Sequence, residues 1–144
     1  MTTMRLVHLG HERAFTVQAI LQKLPQMKAM GMKELILDAG WFSLFGDWEP
    51  ARNKFPRGDP DLKALIHRVH AQGLMFRLWW SPGSADPGST INKQHPDWFI
   101  LDYHGHRAKA PWNAYYLCPA YKPVQEFTRA LVERFIRRWG VDSL

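Results

Sequence analysis

At 144 residues the chain is long enough for one domain with a sizeable core, and its 46% hydrophobic and 22% charged residues are ordinary for a globular protein. No run of about 18 apolar residues occurs, so the sequence predicts no membrane span. The net charge of +6 is compatible with nucleic acid as a partner. However, the basic residues are scattered, and the densest group lies on one predicted helix, which is more typical of a solvated helix face. We therefore expect neither nucleic acid nor a membrane as a partner.

Cysteine usage and the N-terminal residues predict the compartment. The single cysteine, Cys118, cannot form an internal disulfide, which suits a reducing environment. The first ten residues hold no apolar run long enough for a signal peptide. We therefore expect a cytoplasmic protein.

Two pairs of histidines are the only pattern that suggests a metal. One pair has helical spacing and the other lies in a predicted loop, but no carboxylate or thiol is spaced to complete either ligand set. We expect no metal and no cofactor, and we interpret these residues as exposed polar side chains (His67, His70, His104 and His106).

The chain begins with a predicted strand and helix. Met4–Leu9 has the character of a short strand, and Thr16 is placed to cap a helix over Val17–Met30. Pro25 either kinks this helix or begins a second one at its first position. Gly31 ends the helical pattern.

The second strand, Leu35–Asp38, is a short apolar run between two glycines, which is typical of a strand buried on both faces. Binding sites in parallel α/β folds lie at the carboxyl ends of strands. An Asp at this end, followed by tryptophans, suits a ligand that is polar but has apolar faces, and a sugar fits that description. The alternative is that Asp38 caps the loop Trp41–Gly58 and that its aromatic side chains are core.

The next helix and strand are the clearest in the sequence. Asp59 is a candidate N-cap, Pro60 suits the first helical position, and Gly73 ends the helix. Its apolar residues recur on one face at helical spacing (Leu62, Leu65, Ile66 and Val69). Leu74–Trp80 follows as a third strand.

A long stretch without a regular pattern follows, over Ser84–Lys122, and such a length is usually functional or disordered. Its aromatic residues argue against disorder, and His95–Phe99 is expected to begin a short hairpin. A helix then starts at Pro123, with its apolar stripe on Val124, Phe127, Leu131, Phe135 and Trp139. Val141–Leu144 resembles the beginning of a fourth strand.

The element order, β-α-β-α-β-loop-α-β, implies parallel strands joined by crossover helices. The insertions all follow strands and precede helices, as in (β/α)₈ barrel enzymes, which need about 250 residues. We therefore predict an α/β fold, specifically a partial TIM barrel with about its first three βα units and the start of strand four. Residues 1–144 are expected to form a single domain that is truncated at its C-terminal end.

Seven short motifs occur in an order that resembles the catalytic barrel of glycoside hydrolase family 36, the α-galactosidases and their raffinose-processing relatives. The resemblance covers Thr16–Leu144, and Tyr115–Tyr121 is similar to one bacterial branch of the family. The motifs are Asp38-Ala39-Gly40-Trp41-Phe42, Gly46-Asp47-Trp48, Lys54-Phe55-Pro56-x-Gly58, Val69-His70-x-x-Gly73-Leu74, Leu78-Trp79-Trp80-x-Pro82, His95-Pro96-Asp97-Trp98 and Gly140-Val141-Asp142.

The resemblance implies a retaining hydrolase, in which one carboxylate attacks the anomeric carbon and another protonates the leaving oxygen. The family's nucleophile lies in a pattern similar to Gly-Val-Asp-x-Leu-Lys-x-Asp. Asp142 matches the first Asp of this pattern and not the nucleophile, and the acid/base residue is absent as well. The resemblance therefore assigns no catalytic residue to this chain and implies that the isolated chain is inactive.

The family's sugar-binding positions are present in part. Asp38 matches the first of two paired Asp residues that bind galactose hydroxyls, but the second is Ala39, and Trp112 stands where the family usually has Arg. Trp79 matches a tryptophan that lines the galactose pocket, with barrel packing as its alternative role. The predicted substrate-binding residues are Asp38, Trp41, Asp47, Trp48, Trp79, Trp80 and Cys118.

The expected partner is an α-galactoside, and unclosed barrel edges are expected to allow self-association. One alternative is a non-catalytic carbohydrate-binding or half-barrel fragment. Another is a barrel that acts on a different α-glycoside.

Overall fold

The computed structural model describes residues 3–5 and 15–144. The chain forms two compact units. The first comprises Met1–Phe42, Pro50–Trp80 and Arg134–Leu144, and the second comprises Ser43–Glu49 and Ser81–Glu133.

A parallel sheet organises the first unit. Its strands are β1 (Thr3–Arg5), β2 (Glu34–Leu37) and β3 (Met75–Leu78), in the order β1-β2-β3. Ser143 forms a parallel bridge with Arg77 on the other side of β3, so a fourth strand begins there. The predicted parallel alternation is confirmed. The predicted strand Met4–Leu9 overlaps β1 at its first two residues, and the rest of it lies outside the described residues.

Helix α1 spans Val17–Ala29, and the Oγ1 of Thr16 accepts a hydrogen bond of 3.1 Å from the amide of Ala19. This confirms the predicted cap. Pro25 lies inside one continuous helix and does not begin a second one. Gly31, which has a φ of +73°, ends the helix as predicted, because glycine adopts that conformation without steric cost.

Helix α2 spans Asp59–His70, and its N-cap is Gly58, which has a φ of +74°. The prediction that Asp59 is the cap is therefore wrong. Asp59 is the first helical residue, and its carboxylate instead accepts a hydrogen bond of 2.8 Å from Arg134. Two acidic residues still lie in the first turn, where the helix dipole favours negative charge.

The core of the first unit lies between this sheet and the helices. Alternate strand residues are buried, as expected for a pleated strand, and the helices contribute their apolar stripes. The buried side chains include Leu35, Leu37, Phe76 and Leu78 from the strands, and Ile20, Leu24, Met27, Leu62, Leu65, Ile66 and Val69 from the helices.

The second unit contains regular structure that the sequence pattern did not indicate. A small antiparallel sheet has the order β4-β6-β5, with β4 at Ser84–Ala85, β5 at Lys109–Ala110 and β6 at Ala114–Tyr116. Helix α3 spans Thr90–Gln94. The hydrophobic core of the second unit comprises Ala85, Ile91, Phe99, Leu117 and Val124.

The expected hairpin start at His95–Phe99 is wrong in its first part, because Pro96–Trp98 forms a 3₁₀ turn. A tight turn follows it, closed by a bridge between Leu101 and Arg107. Within that turn the carboxylate of Asp102 accepts hydrogen bonds from two backbone amides, at 2.9 and 2.8 Å.

The last helix, α4 (Lys122–Glu133), continues as a π-helical segment over Arg134–Trp139. The predicted apolar stripe is largely buried, and Gly140, with a φ of +83°, follows the helix. Across the part of the chain that the structure describes, no helix is both long and apolar enough to cross a membrane.

Candidate functional site

Asp38 and Trp79 follow the carboxyl ends of two neighbouring parallel strands. Leu37 of β2 pairs with Leu78 of β3, and the amide of Trp79 donates a hydrogen bond of 2.9 Å to the carbonyl of Leu37. Asp38 and Trp79 are therefore the next residues on adjacent strands, and both are only partly buried. One carboxylate oxygen of Asp38 accepts a hydrogen bond of 2.7 Å from the amide of Ala39.

Trp79 is contacted by Trp41 at its backbone and by Phe42 at its ring, both in the first unit. Its backbone carbonyl accepts a hydrogen bond of 2.7 Å from the indole N–H of Trp41. Its ring lies nearly parallel to that of Phe42, with an interplanar angle of 14° and centroids 6.2 Å apart. A fixed aromatic face beside a carboxylate suits a ligand that presents both C–H groups and hydroxyls.

Trp41 is fully buried, and its ring makes edge contacts with three others. The centroids of Phe42, Phe135 and Trp139 lie 5.2, 5.8 and 5.9 Å from its own. Trp80 is half-buried and contacts Phe135 edge-on at 5.3 Å. The structure therefore gives Trp41 a packing role directly behind the Trp79 backbone.

Lys54 contributes to this region in a way that the sequence analysis missed. Its Nζ donates a hydrogen bond of 2.9 Å to the carbonyl of Gly40 and lies 3.9 Å from the ring centroid of Phe15. It therefore fixes the backbone of the loop that leaves Asp38. Its place in the Lys-Phe-Pro motif is the signal that could have drawn attention to it.

The other three predicted residues belong to the second unit. The carboxylate of Asp47 accepts hydrogen bonds from the amides of Thr90, at 2.8 and 3.0 Å, and Ile91, at 3.3 Å, so it caps α3. Trp48 is fully buried and contacts Phe45 edge-on at 5.5 Å. Cys118 is partly buried, and its amide donates a hydrogen bond of 2.8 Å to a backbone carbonyl.

A polar cluster joins three strands of the first unit. Arg77 Nε lies 3.1 Å from a carboxylate oxygen of Glu34 and 3.1 Å from the hydroxyl of Ser143, which donates to the same carboxylate oxygen at 3.0 Å. These three residues come from β2, β3 and the start of the fourth strand. The pairing compensates for burying the carboxylate of Glu34.

Asp142 is held in the same sheet. One of its carboxylate oxygens accepts a hydrogen bond of 2.7 Å from the amide of Phe76 and lies 2.7 Å from Nε2 of His70.

Within residues 3–5 and 15–144, no group of three or more histidine, cysteine or acidic side chains is arranged to hold a metal ion.

Comparison with known proteins gives consistent results. Residues 11–144 match the Melibiase family. The chain is 32% identical over 137 residues to an A type blood α-D-galactosamine galactosaminidase of Flavonifractor plautii, covering 90% of this chain and 13% of that protein. It is 34% identical over 106 residues to α-galactosidase Mel36A of Lactobacillus acidophilus, covering 69% of this chain and 14% of that protein.

Solved structures agree in fold. An α-galactosidase of Thermus thermophilus, in complex with p-nitrophenyl α-D-galactopyranoside, has a TM-score of 0.79 and 31% identity, covering 92% of this chain and 27% of that one. An α-galactosidase of glycoside hydrolase family 36 from Geobacillus stearothermophilus has a TM-score of 0.79 and 25% identity, covering 90% of this chain and 18% of that one. The chain thus spans 13% to 27% of the length of these relatives. With nearly its whole length matched to one family profile and its fold shared with family 36 structures, this chain belongs to the melibiase family of α-galactosidase-like glycoside hydrolases.

Proposed function

We propose that this chain is the sugar-binding part of a retaining α-galactosidase-like hydrolase that acts on α-galactosides. In this proposal residues 1–144 form one domain, a partial (β/α)₈ barrel with about its first three βα units and the start of strand four. The parallel order β1-β2-β3, followed by the bridge from Arg77 to Ser143, supports this arrangement. The cytoplasmic location predicted from the sequence belongs to the same proposal.

The placement of Asp38 beside Trp79 is the observation that carries the proposal. An ionised carboxylate accepts hydrogen bonds from sugar hydroxyls, and hydrogen bonds to charged groups contribute about 1.5–3 kcal/mol each. An indole face covers the apolar C–H side of a pyranose. Trp41 binds the backbone of Trp79 and Phe42 stacks on its ring, so these contacts lower the cost of ordering the ring when a ligand binds.

The other predicted substrate-binding residues differ in how deeply they are buried. Trp41 is fully buried and binds the backbone of Trp79, so in this conformation it supports the site by packing. Trp48 is also fully buried and packs on Phe45 within the second unit. Trp80 and Cys118 are partly buried, and direct contact with substrate stays a prediction for both. Asp47 caps α3, and direct contact with substrate stays a prediction for it as well.

The chemistry of a retaining enzyme needs two carboxyl groups about 5–5.5 Å apart. Asp142 does not supply one of them in our proposal, because it matches a different position of the family's pattern and binds His70 and the Phe76 amide. We therefore expect the 144-residue chain to bind sugar without hydrolysing it.

A second candidate is a barrel that acts on another α-glycoside. Ala39 stands where the family usually has its second sugar-binding Asp, and the relative from Flavonifractor plautii is named for a galactosamine substrate. A non-catalytic carbohydrate-binding role is the further alternative, and activity of a longer protein would distinguish it.

Titration with p-nitrophenyl α-D-galactopyranoside tests the proposal. We expect Asp38→Asn to weaken binding by about tenfold or more, since one hydrogen bond to a charged group is lost. Glu126→Gln removes a charge from the surface of α4 and is the matched control. Equal affinity of Asp38→Asn and the unsubstituted chain would contradict the role of Asp38, and release of p-nitrophenol by the purified chain would contradict the absence of catalytic carboxylates.

A further inference from the structure

A cavity of about 520 Å³ lies between helices α1 and α2 of the first unit, beside the loop that precedes α2. Volumes of about 300–1,000 Å³ are typical of sites for small molecules. Asp38 and Trp79 do not line this cavity. It is therefore separate from the candidate sugar site and needs a ligand of its own.

Apolar side chains of both helices form the walls of the cavity. Val17 and Leu21, one turn apart on α1, are half-buried. Leu65 of α2 lines it as well and is only 2% exposed, so it lies at the base. These side chains carry no hydrogen-bonding groups, and contact with them removes apolar surface from water. The walls therefore suit a hydrocarbon and not a hydroxylated ligand such as a sugar.

A small residue keeps the space between the helices open. Ala64 lines the cavity and is exposed. It lies three residues after Asp61 and four before Arg68, so all three side chains share one side of α2. A larger side chain at Ala64 would extend into the cavity and fill part of it.

The charged groups that line the cavity are mostly positive. Lys54, Arg57 and Arg68 line it together with one carboxylate, that of Asp61. Arg57 binds this carboxylate, with its Nε 2.7 Å from one oxygen and its amide 2.8 Å from the other. The hydrogen bond from Lys54 Nζ is to the carbonyl of Gly40, which is a neutral acceptor. The lining therefore has an excess of positive charge.

The geometry points to a binding site for an amphiphilic anion in this cavity, with a hydrocarbon chain between α1 and α2 and a carboxylate bound by Arg68. Arg68 is exposed, and it follows Ala64 by one turn, so its side chain reaches the edge of the apolar walls. A guanidinium presents several N–H donors in a plane that matches a carboxylate. An amphiphilic cation would meet the same walls but the wrong charge, so the site discriminates by the head group.

Calorimetric titration of the 144-residue chain with decanoate, kept below its micelle concentration, tests the site. Decylammonium has the same hydrocarbon chain and the opposite charge, and it is the matched ligand. We expect decanoate to bind about threefold more tightly or better, because exposed charges contribute only modestly. The methyl signals of Val17, Leu21 and Leu65 in NMR spectra should shift during the titration, which locates the ligand.

Two pairs of variants separate the walls from the head-group contact. Ala64→Leu fills the cavity with a good helix former and should raise the dissociation constant of decanoate about tenfold or more. Ala29→Leu makes the same change at an exposed position of α1 outside the cavity and should bind as the unsubstituted chain does. Arg68→Gln should remove the preference for decanoate over decylammonium, whereas Lys63→Gln, which removes another exposed charge from α2, should retain it.

The proposal is overturned if decanoate does not bind, if decylammonium binds equally well, or if Ala64→Leu leaves the dissociation constant unchanged. An Ala64→Leu variant that changes only the mass of the chain in solution would assign the cavity to a second copy of the chain instead. Asp38→Asn should not alter decanoate binding, because Asp38 lies outside the lining. Weaker decanoate binding in Asp38→Asn would contradict a separate site, and loss of sugar binding alone would leave this site intact.

Discussion

Asp59 is not the N-cap that its place in the sequence suggested, but it still stabilises the N-terminus of α2. Burial raises the pKa of this carboxyl group, but the hydrogen bonds and the positive charge that it meets, chiefly those of Arg134, outweigh burial and hold the pKa below its ordinary value. Asp59 and Arg134 connect the first turn of α2 to the π-helical segment, and both belong to the first unit.

The lowered pKa predicts a pH dependence of stability. Because the unfolded chain protonates Asp59 more readily than the folded chain does, the contribution is present above the ordinary carboxyl pKa, near 4, and is lost as the pH falls through and below it. The side chain of Asp59 is 39% exposed, so we expect Asp59→Asn to cost only about 0.5 kcal/mol at pH 7. Thermal unfolding between pH 7 and pH 3 measures this, and the difference between the two proteins should shrink towards pH 3.

Asp61→Asn is the comparison for this experiment. Hydrogen bonds from the backbone and side chain of Arg57 lower the pKa of Asp61 as well, and its side chain is partly buried whereas that of Arg57 is exposed. We therefore expect the same direction of pH dependence for Asp61→Asn. A difference between Asp59→Asn and the unsubstituted chain that grows as the pH falls would contradict the assigned sign.

Individual residues were predictable where their chemistry acts locally. Thr16 caps α1 because a hydroxyl reaches the amide three residues later wherever a helix begins. Asp59 had the right residue type at the right place, but Arg134, distant in sequence, binds its carboxylate. No local pattern contains that partner.

At the scale of elements, the polar cluster of Glu34, Arg77 and Ser143 ties β3 to the strands on either side. The carboxylate of Glu34 is only 4% exposed, while the side chain of Arg77 is 43% exposed. Removing the guanidinium therefore leaves a buried charge with a single hydroxyl as its remaining partner in the cluster.

We expect Arg77→Met to lower the free energy of unfolding by about 2–3 kcal/mol, below the full cost of breaking a fully buried pair because Arg77 is partly exposed. Urea denaturation measures this value. In Glu34→Gln/Arg77→Met the buried charge is absent, so the double variant should be more stable than Arg77→Met alone. If the two variants unfold at the same urea concentration, the cost arises from lost packing of the Arg77 side chain.

Longer helices and strands were easier to predict from the sequence than shorter ones. Strand β2 and helix α2 contain enough residues for a glycine-bounded apolar run or a helical stripe to stand out. Strands β4, β5 and β6 contain two or three residues each, which is too few to show alternation. Their pairing depends on contacts between residues distant in sequence, so the sequence indicated a long loop where the structure has a sheet.

At the scale of the whole molecule, the parallel sheet of the first unit is open. Among residues 3–5 and 15–144, β1 pairs only with β2, and the strand that begins at Ser143 pairs only with β3. Unpaired strand edges bind other edges. We therefore retain the prediction that the 144-residue chain self-associates.

Size-exclusion chromatography with light scattering tests this prediction, and we expect a mass of at least a dimer. Leu144, which follows Ser143 at the open side of the sheet, is exposed, and Leu144→Lys should reduce association because a charge at a sheet edge opposes pairing. Tyr103→Lys, in the second unit, should leave the mass unchanged. A sharp monomer peak with cooperative thermal unfolding would show that the open sheet is stable alone.

The candidate site was predictable only in part. Asp38 and Trp79 could be found because the carboxyl ends of parallel strands are adjacent and the family motifs include both residues. The hydrogen bonds from Thr90 and Ile91 to Asp47 could not, because they bring together two segments that no periodic pattern connects. The division into two units was likewise not indicated by composition.

The ring cluster around Trp41 also has a spectroscopic consequence. Four of the seven tryptophans, Trp41, Trp79, Trp80 and Trp139, belong to the first unit, and Trp41 and Trp139 lie nearly perpendicular at 5.9 Å. Aromatic chromophores held in one asymmetric arrangement give circular dichroism in the near ultraviolet, and this signal disappears when packing loosens even if helices remain. The near-ultraviolet signal, to which this ring cluster contributes, therefore reports side-chain order and can be read separately from the far-ultraviolet signal of the backbone.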